Sequence, residues 1–350
     1  QIKYYVEDQA FSKIGSEFDG LDVISIYRMQ QLYKEAVIDG VVISTAYHKR
    51  TVQDMVETCV RLGLRDADIY LVKNNVLVSG AAGTEEILVP YRECVQIYDL
   101  NIHLADHCNM KCELCCHNSQ LVEGQVFTEF DTYSRDLLRM HELVPDIVRI
   151  SLLGGEPLLH TNLMEFIDFK RNVYSCSHIT VVTNGLLLKQ SPPELLECLK
   201  RNNAEINVSL YPPMHHQLDD LLEYIRSTGI HASIHRVDRF FKKFCDKPKF
   251  DPKEMSEYCG YCMGLSDGRI SRCIDSLYVH YFNQRFGKIL PETEGYNIYD
   301  EDLDPLKLVH MLEQPMELCA YCGAKYTLVD TFEWKQITKY SKKEDILISD

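Results

Sequence analysis

Cysteine spacing is the feature that most constrains the fold of this chain. The 350-residue sequence holds 14 cysteines, and eight of them fall into two sets with metal-ligand spacing. The first set is Cys108, Cys112 and Cys115, and the second extends from Cys259 to Cys322. In a chain this long, such sets favour iron–sulfur or zinc sites in a reducing cytoplasm over a disulfide framework. The fold must therefore bring the members of each set together.

Composition narrows the classes of partner. Hydrophobic residues make up 45 % of the chain and charged residues 25 %, as in ordinary globular proteins. The net charge is −15, and the nearest approach to a basic cluster is the pair of lysines in 240–244, so we expect no nucleic-acid partner. No apolar run approaches the roughly 20 residues needed to span a bilayer, and no secretory signal is evident, so we expect no membrane partner.

Residues 1–94 alternate strand and helix signals. Apolar runs predict strands, and amphipathic spacing predicts the helices between them. The predicted elements are a strand at Ile2–Val6, a helix at Tyr27–Ala36, a strand at Val41–Ser44, a helix at Val52–Leu62 and a strand at Ile69–Val72. This order is typical of an open α/β domain with a parallel sheet.

Residues 95–244 repeat a strand-then-helix unit. The predicted strands are Val95–Ala105, Ile147–Leu153, His178–Thr183, Glu205–Leu210 and His231–Val237, with helices near Thr132–Leu143, Leu163–Asn172, Pro193–Arg201 and Leu218–Thr228. The polar motifs of this region all lie where a strand ends. Active sites of α/β barrels lie at that same edge.

Residues 245–350 change in character. Cysteines cluster there and helical periodicity weakens. The turn Ser266-Asp267-Gly268 separates two short strand-like runs, which is a hairpin signal. We predict a small cysteine-rich C-terminal domain, with domain boundaries at 1–94, 95–244 and 245–350.

The first cysteine set reads Cys108-Asn-Met-Lys-Cys112-Glu-Leu-Cys115. Three thiolates at this spacing can hold three irons of a [4Fe–4S] cluster and leave the fourth iron open. The alternatives are a zinc site or buried free thiols. Cys116 follows at once as a further potential ligand, although adjacent side chains point in different directions.

The C-x3-C-x2-C spacing resembles the signature of the radical S-adenosylmethionine (SAM) superfamily. The resemblance implies a partial (β/α)6 barrel in which the open iron binds the amino and carboxylate groups of SAM. Electron transfer then cleaves SAM to a 5′-deoxyadenosyl radical. Leu114 departs from the family pattern, because that position is usually aromatic; its backbone is the expected adenine contact.

The next strand ends carry further resemblances to this family. Gly154-Gly155-Glu156-Pro157 resembles the motif that holds the methionine amino group, and Thr183-Asn184 resembles a SAM-contacting turn. Ser209 on the fourth strand is a further expected SAM contact. Taken singly, each motif is also compatible with an ordinary polar turn. Substrate-side candidates at the barrel mouth are His117, Asn118, Tyr211, His215, His216 and Arg236.

The second cysteine set combines Gly268-Arg-Ile-Ser-Arg-Cys273 with Cys319-Ala-Tyr-Cys322. Two cysteines near a hairpin plus a distant C-x2-C suit a four-thiolate zinc or iron–sulfur site. The pattern resembles the SPASM/twitch group of radical SAM enzymes, and its shorter twitch form implies one auxiliary [4Fe–4S] cluster. The fourth ligand is Cys259 or Cys262, and the hairpin favours Cys262. The remaining cysteines, Cys59, Cys94, Cys176, Cys198 and Cys245, are expected to be core or surface thiols.

The N-terminal segment resembles the Rossmann-like domains of some enzymes of sugar and polysaccharide biosynthesis. It begins at what reads as the second strand of such a domain, so we regard the domain as incomplete. Its opening strand and glycine-rich phosphate loop are not present in this sequence, so the sequence leaves open whether this domain binds a nucleotide or serves for docking.

Together the resemblances imply a radical SAM oxidoreductase acting on a small, sugar-like substrate by oxidation or epimerisation. A flavodoxin or ferredoxin would supply the electron, and the auxiliary cluster would conduct one away from the substrate. The alternatives are a peptide-modifying SPASM-type maturase and a non-catalytic iron–sulfur or zinc scaffold.

Overall fold

The computed structural model describes residues 3–7, 13–18, 20–43, 49–72, 88–90, 95–259, 262–292, 295–325, 331–337 and 342–348. The chain divides into two compact units, Gln1–Cys94 and Val95–Asp350. Residues 245–350 share the second unit with the strand–helix repeats. Of the cysteines expected to be simple thiols, Cys94 lies outside the described residues.

The N-terminal unit contains short strands and two helices. Its elements are β1 (Tyr5–Glu7), β2 (Glu17–Phe18), β3 (Leu21–Ser25), α1 (Ile26–Lys34), β4 (Val41–Ile43), α2 (Lys49–Arg61), β5 (Ile69–Val72) and β6 (Leu88–Pro90). Among the described residues they form two three-stranded mixed sheets, β1-β3-β2 and β4-β5-β6, in place of the single parallel sheet expected. Only two residues connect β2 to β3, and so short a connection permits only an antiparallel pair. The parallel β4–β5 pair, connected through α2, retains the expected α/β pattern.

The second unit is built on strands joined by helices. They are β7 (Gln96–Ala105), α3 (Phe130–Leu143), β8 (Asp146–Gly154), α4 (Leu163–Val173), β9 (His178–Thr183), α5 (Pro193–Arg201), β10 (Ala204–Leu210), α6 (Leu218–Thr228) and β11 (His231–Arg236). Each strand pairs in parallel with its predecessor. The prediction of a mixed α/β fold with a large parallel sheet is therefore confirmed, and the described sheet is open.

Burial explains why these segments form strands and helices. The strands β7 and β8 are buried on both faces along most of their length, as parallel strands between covering layers are, whereas β10 alternates buried and half-buried residues. Apolar residues on one face of each helix, such as Leu137 and Met140 of α3 and Phe166 of α4, pack onto the sheet. Gly229 ends α6 with a φ of 67°, which glycine adopts without strain.

The cysteine-rich segment completes the same sheet. Its elements are β12 (Arg239–Phe241), α7 (Pro252–Tyr258), β13 (Met263–Ser266), β14 (Arg269–Ser271), α8 (Ile274–Phe286), β15 (Tyr296–Asn297), α9 (Pro305–Glu313), β16 (Thr331–Glu333) and α10 (Lys343–Ile346). The sheet order is β11-β10-β9-β8-β7-β13-β14-β15, and β13 runs parallel to β7. The sixth parallel strand thus comes from beyond the strand–helix repeats, on the side of β7 away from β8.

The predicted hairpin is present between β13 and β14. Asp267 and Gly268 have φ values of 47° and 71°, the left-handed conformation that a two-residue turn of this kind requires. The Gly268 N–H donates to the Asp136 carboxylate on α3 at 2.6 Å, which attaches the hairpin to the helical layer. Within the described part of the chain, no helix is both long and apolar enough to cross a membrane.

Candidate iron–sulfur and S-adenosylmethionine site

The loop after β7 carries the first cysteine set. Cys112 is buried, and Cys108 and Cys115 are half-buried. Burial and the charge of Cys108 raise the pKa of the Cys112 thiol to about 11. Burial and the neighbouring thiols raise the pKa of Cys115 as well. The three sulfurs are therefore close enough to influence one another, and a metal must displace their protons on binding.

Nitrogen donors surround these sulfurs. The Met110 backbone N–H donates to Cys108 Sγ at 3.4 Å, and the Trp334 indole N–H donates to Cys112 Sγ at 3.1 Å. A hydrogen bond from the Ser119 backbone lowers the pKa of Cys115 against the effect of burial. Such donors stabilise thiolates that ligate an iron–sulfur cluster. The residues of this loop fit a three-thiolate cluster site.

The two glycines at the end of β8, Gly154 and Gly155, pack against the backbone at the start of this loop. A Cβ on Gly154 would lie 2.2 Å from the Ala105 carbonyl oxygen, and one on Gly155 would lie 2.1 Å from the His107 carbonyl oxygen. The Gly155 N–H donates to the Ala105 carbonyl at 2.6 Å. Only residues without a side chain permit this approach. In the structure the glycines admit the backbone that leads to Cys108.

Glu156 joins the ends of two strands. Its side chain is fully buried, and burial raises the pKa of its carboxyl group. One carboxylate oxygen accepts from the Thr183 hydroxyl at 2.7 Å and from the Leu158 N–H at 3.0 Å, and the other accepts from the Asn184 N–H at 2.9 Å. A carboxylate has about four acceptor positions, so one remains for a further donor. Pro157 is also buried and begins a short 3-10 helix.

Asn184 connects the end of β9 to the cysteine loop. Its side-chain amide donates to Asn109 Oδ1 at 2.7 Å and lies 3.7 Å from Cys108 Sγ. The Thr183 hydroxyl also accepts from the Gly185 N–H at 3.0 Å. The Thr-Asn-Gly turn therefore lies against the first cysteine of the set, at the edge of the sheet where the sequence places it.

Tyr211, after β10, lies close enough to the cysteine loop for its charges to act on the Tyr211 hydroxyl group. Burial, and then the charges of Cys112, Cys115 and Cys116, raise the pKa of its hydroxyl group, which also hydrogen-bonds to Ser209. The ring stacks on Phe240, with ring centroids 5.7 Å apart. Leu114 and Ser209 are each half-buried.

His117 belongs to a chain of polar side chains. Its Nδ1 lies 3.0 Å from His103 Nε2, and His103 Nδ1 lies 3.0 Å from an Asp106 carboxylate oxygen. The ligand atoms of Cys116, His117 and Asp275 all lie within 4.8 Å of one another. Although burial opposes the shift, Cys116 and Asp275 raise the pKa of His117 to about 9.

The remaining substrate-side candidates are not gathered at one point. Asn118 is buried, and its amide donates to the Tyr278 carbonyl at 3.3 Å, which is a structural role. His215 Nε2 donates to the Leu210 carbonyl at 3.1 Å, so its Nδ1 is left to accept from Arg236 at 3.1 Å. His216 is exposed. Thus His215 and Arg236 form one pair at the ends of β10 and β11.

The second cysteine set also comes together. The β13–β14 register pairs Gly264 with Ser271, and the Ile274 N–H donates to the Cys262 carbonyl at 2.6 Å. This places Cys262 across from Cys273, as the hairpin predicts. Burial raises the pKa of Cys322 to about 11, and the charge of Cys259 raises it further.

Cys259 is the member of this set whose charge reaches most of the others. It raises the pKa values of three thiols, those of Cys262, Cys273 and Cys322. Cys319 and Cys322 lie on and just after a 3-10 helix, Glu317–Tyr321. All thirteen cysteines that the structure describes are free of disulfides.

Sequence reasoning missed two residues near these sets. Lys243 forms an ion pair with buried Asp275, and its pKa is raised by Asp275, Cys273 and Cys322 against the effect of burial. Trp334 reaches Cys112 from 222 positions further along the chain. No local spacing signals either contact, although Trp334 is the sole tryptophan of the sequence.

Comparison with known proteins decides the family. Residues 100–221 match the 4Fe-4S single cluster domain. The chain is 32 % identical over 258 residues to a GTP 3′,8-cyclase of Staphylococcus epidermidis, and the aligned region covers 71 % of this chain and 68 % of the relative. This chain belongs to the radical SAM family. Its cofactors are accordingly SAM and a [4Fe–4S] cluster, and the relatives that establish this membership are enzymes.

Further comparisons are more distant. A GTP 3′,8-cyclase of Staphylococcus haemolyticus is 27 % identical over 159 residues, which are 40 % of this chain and 46 % of the relative, so the radical SAM chain spans about half of its length. The solved structure of BtrN with AdoMet and 2-DOIA has a TM-score of 0.44 at 14 % identity and covers 65 % of this chain and 93 % of BtrN. Streptococcus suis SuiB bound to precursor peptide SuiA has a TM-score of 0.36 at 14 % identity, over 65 % of this chain and 70 % of SuiB.

Proposed function

We propose that this radical SAM chain is an oxidoreductase that cleaves SAM at Cys108, Cys112 and Cys115 and oxidises a small, sugar-like substrate with the help of an auxiliary [4Fe–4S] cluster. One observation carries the proposal. A three-cysteine loop and a separate five-cysteine set occur in one compact unit of the chain. Epimerisation of the same class of substrate is the alternative reaction within this proposal.

The residues around the first cysteine set position the groups that would bind the cluster and SAM. The cluster, when bound, supplies the electron that cleaves the sulfonium bond of SAM. Gly154 and Gly155 fix the start of the cysteine loop, and Asn184 fixes Asn109 beside Cys108. Glu156 keeps one acceptor position for an ammonium group, as in the family motif. The burial of Glu156 and Cys112 keeps water away from the site.

The substrate side is assigned to Tyr211, His215, Arg236 and His117. SAM and the cluster, when bound, would supply a 5′-deoxyadenosyl radical that takes a hydrogen atom from a substrate carbon. A nearby base would take up the hydroxyl proton and the auxiliary cluster one electron, which would balance a two-electron oxidation of an alcohol to a ketone. Arg236, held by its hydrogen bond to His215, is suited to orienting hydroxyl groups, because a guanidinium offers several directed donors.

Cys273, Cys319 and Cys322 are assigned as three of the auxiliary ligands, and Cys262 is assigned as the fourth. The assignment of Cys262 rests on the hairpin, because the register of β13 and β14 and the bond from the Ile274 N–H to the Cys262 carbonyl bring it across from Cys273. Full cysteine ligation leaves no iron open, so this cluster would conduct electrons and not bind the substrate. After reconstitution, Cys259→Ala should retain auxiliary iron and Cys262→Ala should lose it; the opposite result would exchange the two roles.

A low-potential electron donor such as a flavodoxin or ferredoxin is the proposed protein partner, because SAM cleavage consumes one electron. The reducing cytoplasm is the proposed compartment. The two cysteine sets with metal-ligand spacing support this placement, since such sets are typical of proteins in reducing compartments.

Cyclisation of a purine nucleotide is a second candidate function. It is favoured by the 32 % identity to an enzyme named GTP 3′,8-cyclase. Stimulation of 5′-deoxyadenosine formation by GTP, with a product of unchanged hydrogen count, would support it. A substrate that loses two hydrogen atoms supports the oxidoreductase, and a modified peptide product would support a maturase.

The test is anaerobic reconstitution of the chain with iron and sulfide, followed by dithionite and SAM. We expect about eight irons per chain, from two four-iron clusters, and formation of 5′-deoxyadenosine. Cys112→Ala should abolish SAM cleavage, and Cys319→Ala should retain part of it while blocking turnover. Zinc in place of iron, or no 5′-deoxyadenosine, would favour a scaffold and refute the proposal.

A further inference from the structure

A segment near the C-terminal end of the chain lies along the cysteine loop. Residues 331–337, which we call the C-terminal strap, include β16, and β16 pairs antiparallel with β12. The Glu113 N–H donates to the Lys335 carbonyl at 2.9 Å, and the Ile337 N–H donates to the Lys111 carbonyl at 3.0 Å. These two bonds flank Cys112 on the cysteine loop, so the strap is held against the loop by its backbone.

Trp334 is the strap residue whose side chain reaches a sulfur. Its indole N–H lies 3.1 Å from Sγ of Cys112, and the Trp334 backbone N–H donates to the Asp238 carbonyl at 3.1 Å. Cys112 is 7 % exposed, so this bond lies in a largely dry environment. Indole nitrogen is a donor only, so the direction of the bond is fixed.

From this contact we infer that Trp334 is a positioning residue that raises the reduction potential of the SAM-binding cluster. The inference rests on the proposed function, because it requires a cluster on Cys108, Cys112 and Cys115. Reduction adds one negative charge, which spreads over the sulfur ligands. A directed N–H donor stabilises the more negative state more strongly, and hydrogen bonds to sulfur are among the factors that set cluster potentials.

The first experiment compares potentials in the reconstituted full chain. Trp334→Phe keeps an aromatic ring on the strap and removes the N–H. Gln336→Ala is the matched control, because Gln336 is exposed and uncharged and meets Cys112 only through a backbone bridge. Redox titration followed by electron paramagnetic resonance (EPR) then gives the potential of each cluster.

We expect about a tenfold fall in the equilibrium constant for one-electron reduction of the SAM-binding cluster in Trp334→Phe, which is about 59 mV toward more negative potential. The auxiliary cluster should keep its potential, and Gln336→Ala should match the parent protein. An unchanged potential in Trp334→Phe, or equal shifts of both clusters, would overturn the inference.

A second measurement uses the fluorescence of Trp334 in the parent protein, so it does not require the Trp334→Phe variant to bind a cluster. Since Trp334 is the sole tryptophan, the indole fluorescence of this chain reports on the strap alone. We expect the emission of the reconstituted parent chain to be well below that of reconstituted Cys112→Ala, which retains only the auxiliary cluster. Equal emission would place the indole away from the SAM-binding cluster and overturn the inference.

Iron analysis separates the two possible failures. If the parent chain binds no iron at the first set, the proposed function and this inference fail together. If iron and 5′-deoxyadenosine formation are normal but potential and fluorescence do not respond as described, only the role of Trp334 is refuted.

Discussion

Replacing Gly155 by alanine tests whether the glycine pair positions the cysteine loop. The new Cβ would lie 2.1 Å from the His107 carbonyl oxygen, 2.4 Å from its carbon and 2.7 Å from the Asp106 oxygen. All three are backbone atoms, so no side chain can rotate away. Restoring an ordinary contact of 3.4 Å requires the backbone just before Cys108 to move by about 1.3 Å.

Two consequences follow from this displacement. Overpacking costs about 1–3 kcal/mol, and weakening the hydrogen bonds of Gly155 to Ala105 and of Glu156 to His107 costs about 1 kcal/mol each. We therefore expect the unfolding free energy of the second unit to fall by about 3–5 kcal/mol. A misplacement of about 1 Å can also reduce a rate about 100-fold, and we expect that loss in 5′-deoxyadenosine formation.

The assay combines urea unfolding, followed by fluorescence of Trp334, with iron content and the rate of SAM cleavage. Gly124→Ala is the control, because an added Cβ there meets nothing within 4 Å and only its φ of 78° is strained. The control should lose about 1–2 kcal/mol and keep its iron. If Gly155→Ala keeps parental iron and a rate within about threefold of the parent, the packing argument is wrong.

Three further predictions concern other buried polar groups. Asn184→Ala removes the bond to Asn109 but keeps the backbone bond to Glu156, so SAM cleavage should fall about tenfold with little change in iron content; an unchanged rate would refute the role of the amide. Burial lowers the pKa of Lys170 to about 6, so the unfolded chain binds one more proton above that pH; in urea titrations of the apo chains from pH 6.5 to 8.5, the unfolding free energy of the parent minus that of Lys170→Met should rise by up to about 1.4 kcal/mol per pH unit, and a constant difference would refute the shift. Lys243→Met leaves the Asp275 carboxylate buried without its cation and should cost about 3–5 kcal/mol in urea unfolding, whereas a cost below about 1 kcal/mol would show that the pair is not desolvated.

The sequence predicts the parallel part of the fold because its signals are local. Each of the strands β7 to β10 is a largely apolar run followed by an amphipathic helix, and the predicted bounds of these elements and of β11 lie within two residues of those in the structure. The Asp267-Gly268 turn is equally local and is confirmed by its positive φ values. The pairing of β13 with β7 is different, because it joins residues more than 150 positions apart and depends on which sheet edge is free.

The candidate site likewise has a part that local sequence predicts and a part that depends on long-range contacts. The spacing of Cys108, Cys112 and Cys115 is a property of one loop, and the rule that parallel strands end at one edge brings Asn184 to that loop. The structure shows that Gly155 allows the backbone of Asp106 and His107 to approach closely. A glycine pair in a sequence does not indicate which atoms approach it. The contact of Trp334 with Cys112 spans 222 positions and follows from no periodicity.

The most direct test of the central claim is the EPR spectrum of the reduced, reconstituted Cys319→Ala variant, recorded with and without SAM. This variant lacks an auxiliary ligand and keeps Cys108, Cys112 and Cys115, so the remaining signal belongs to the three-cysteine site. Because one iron of that cluster is open, SAM should bind to it and shift the g-values, and Cys112→Ala should show no such shift. An unchanged spectrum of Cys319→Ala on addition of SAM would contradict the assignment of SAM binding to this site.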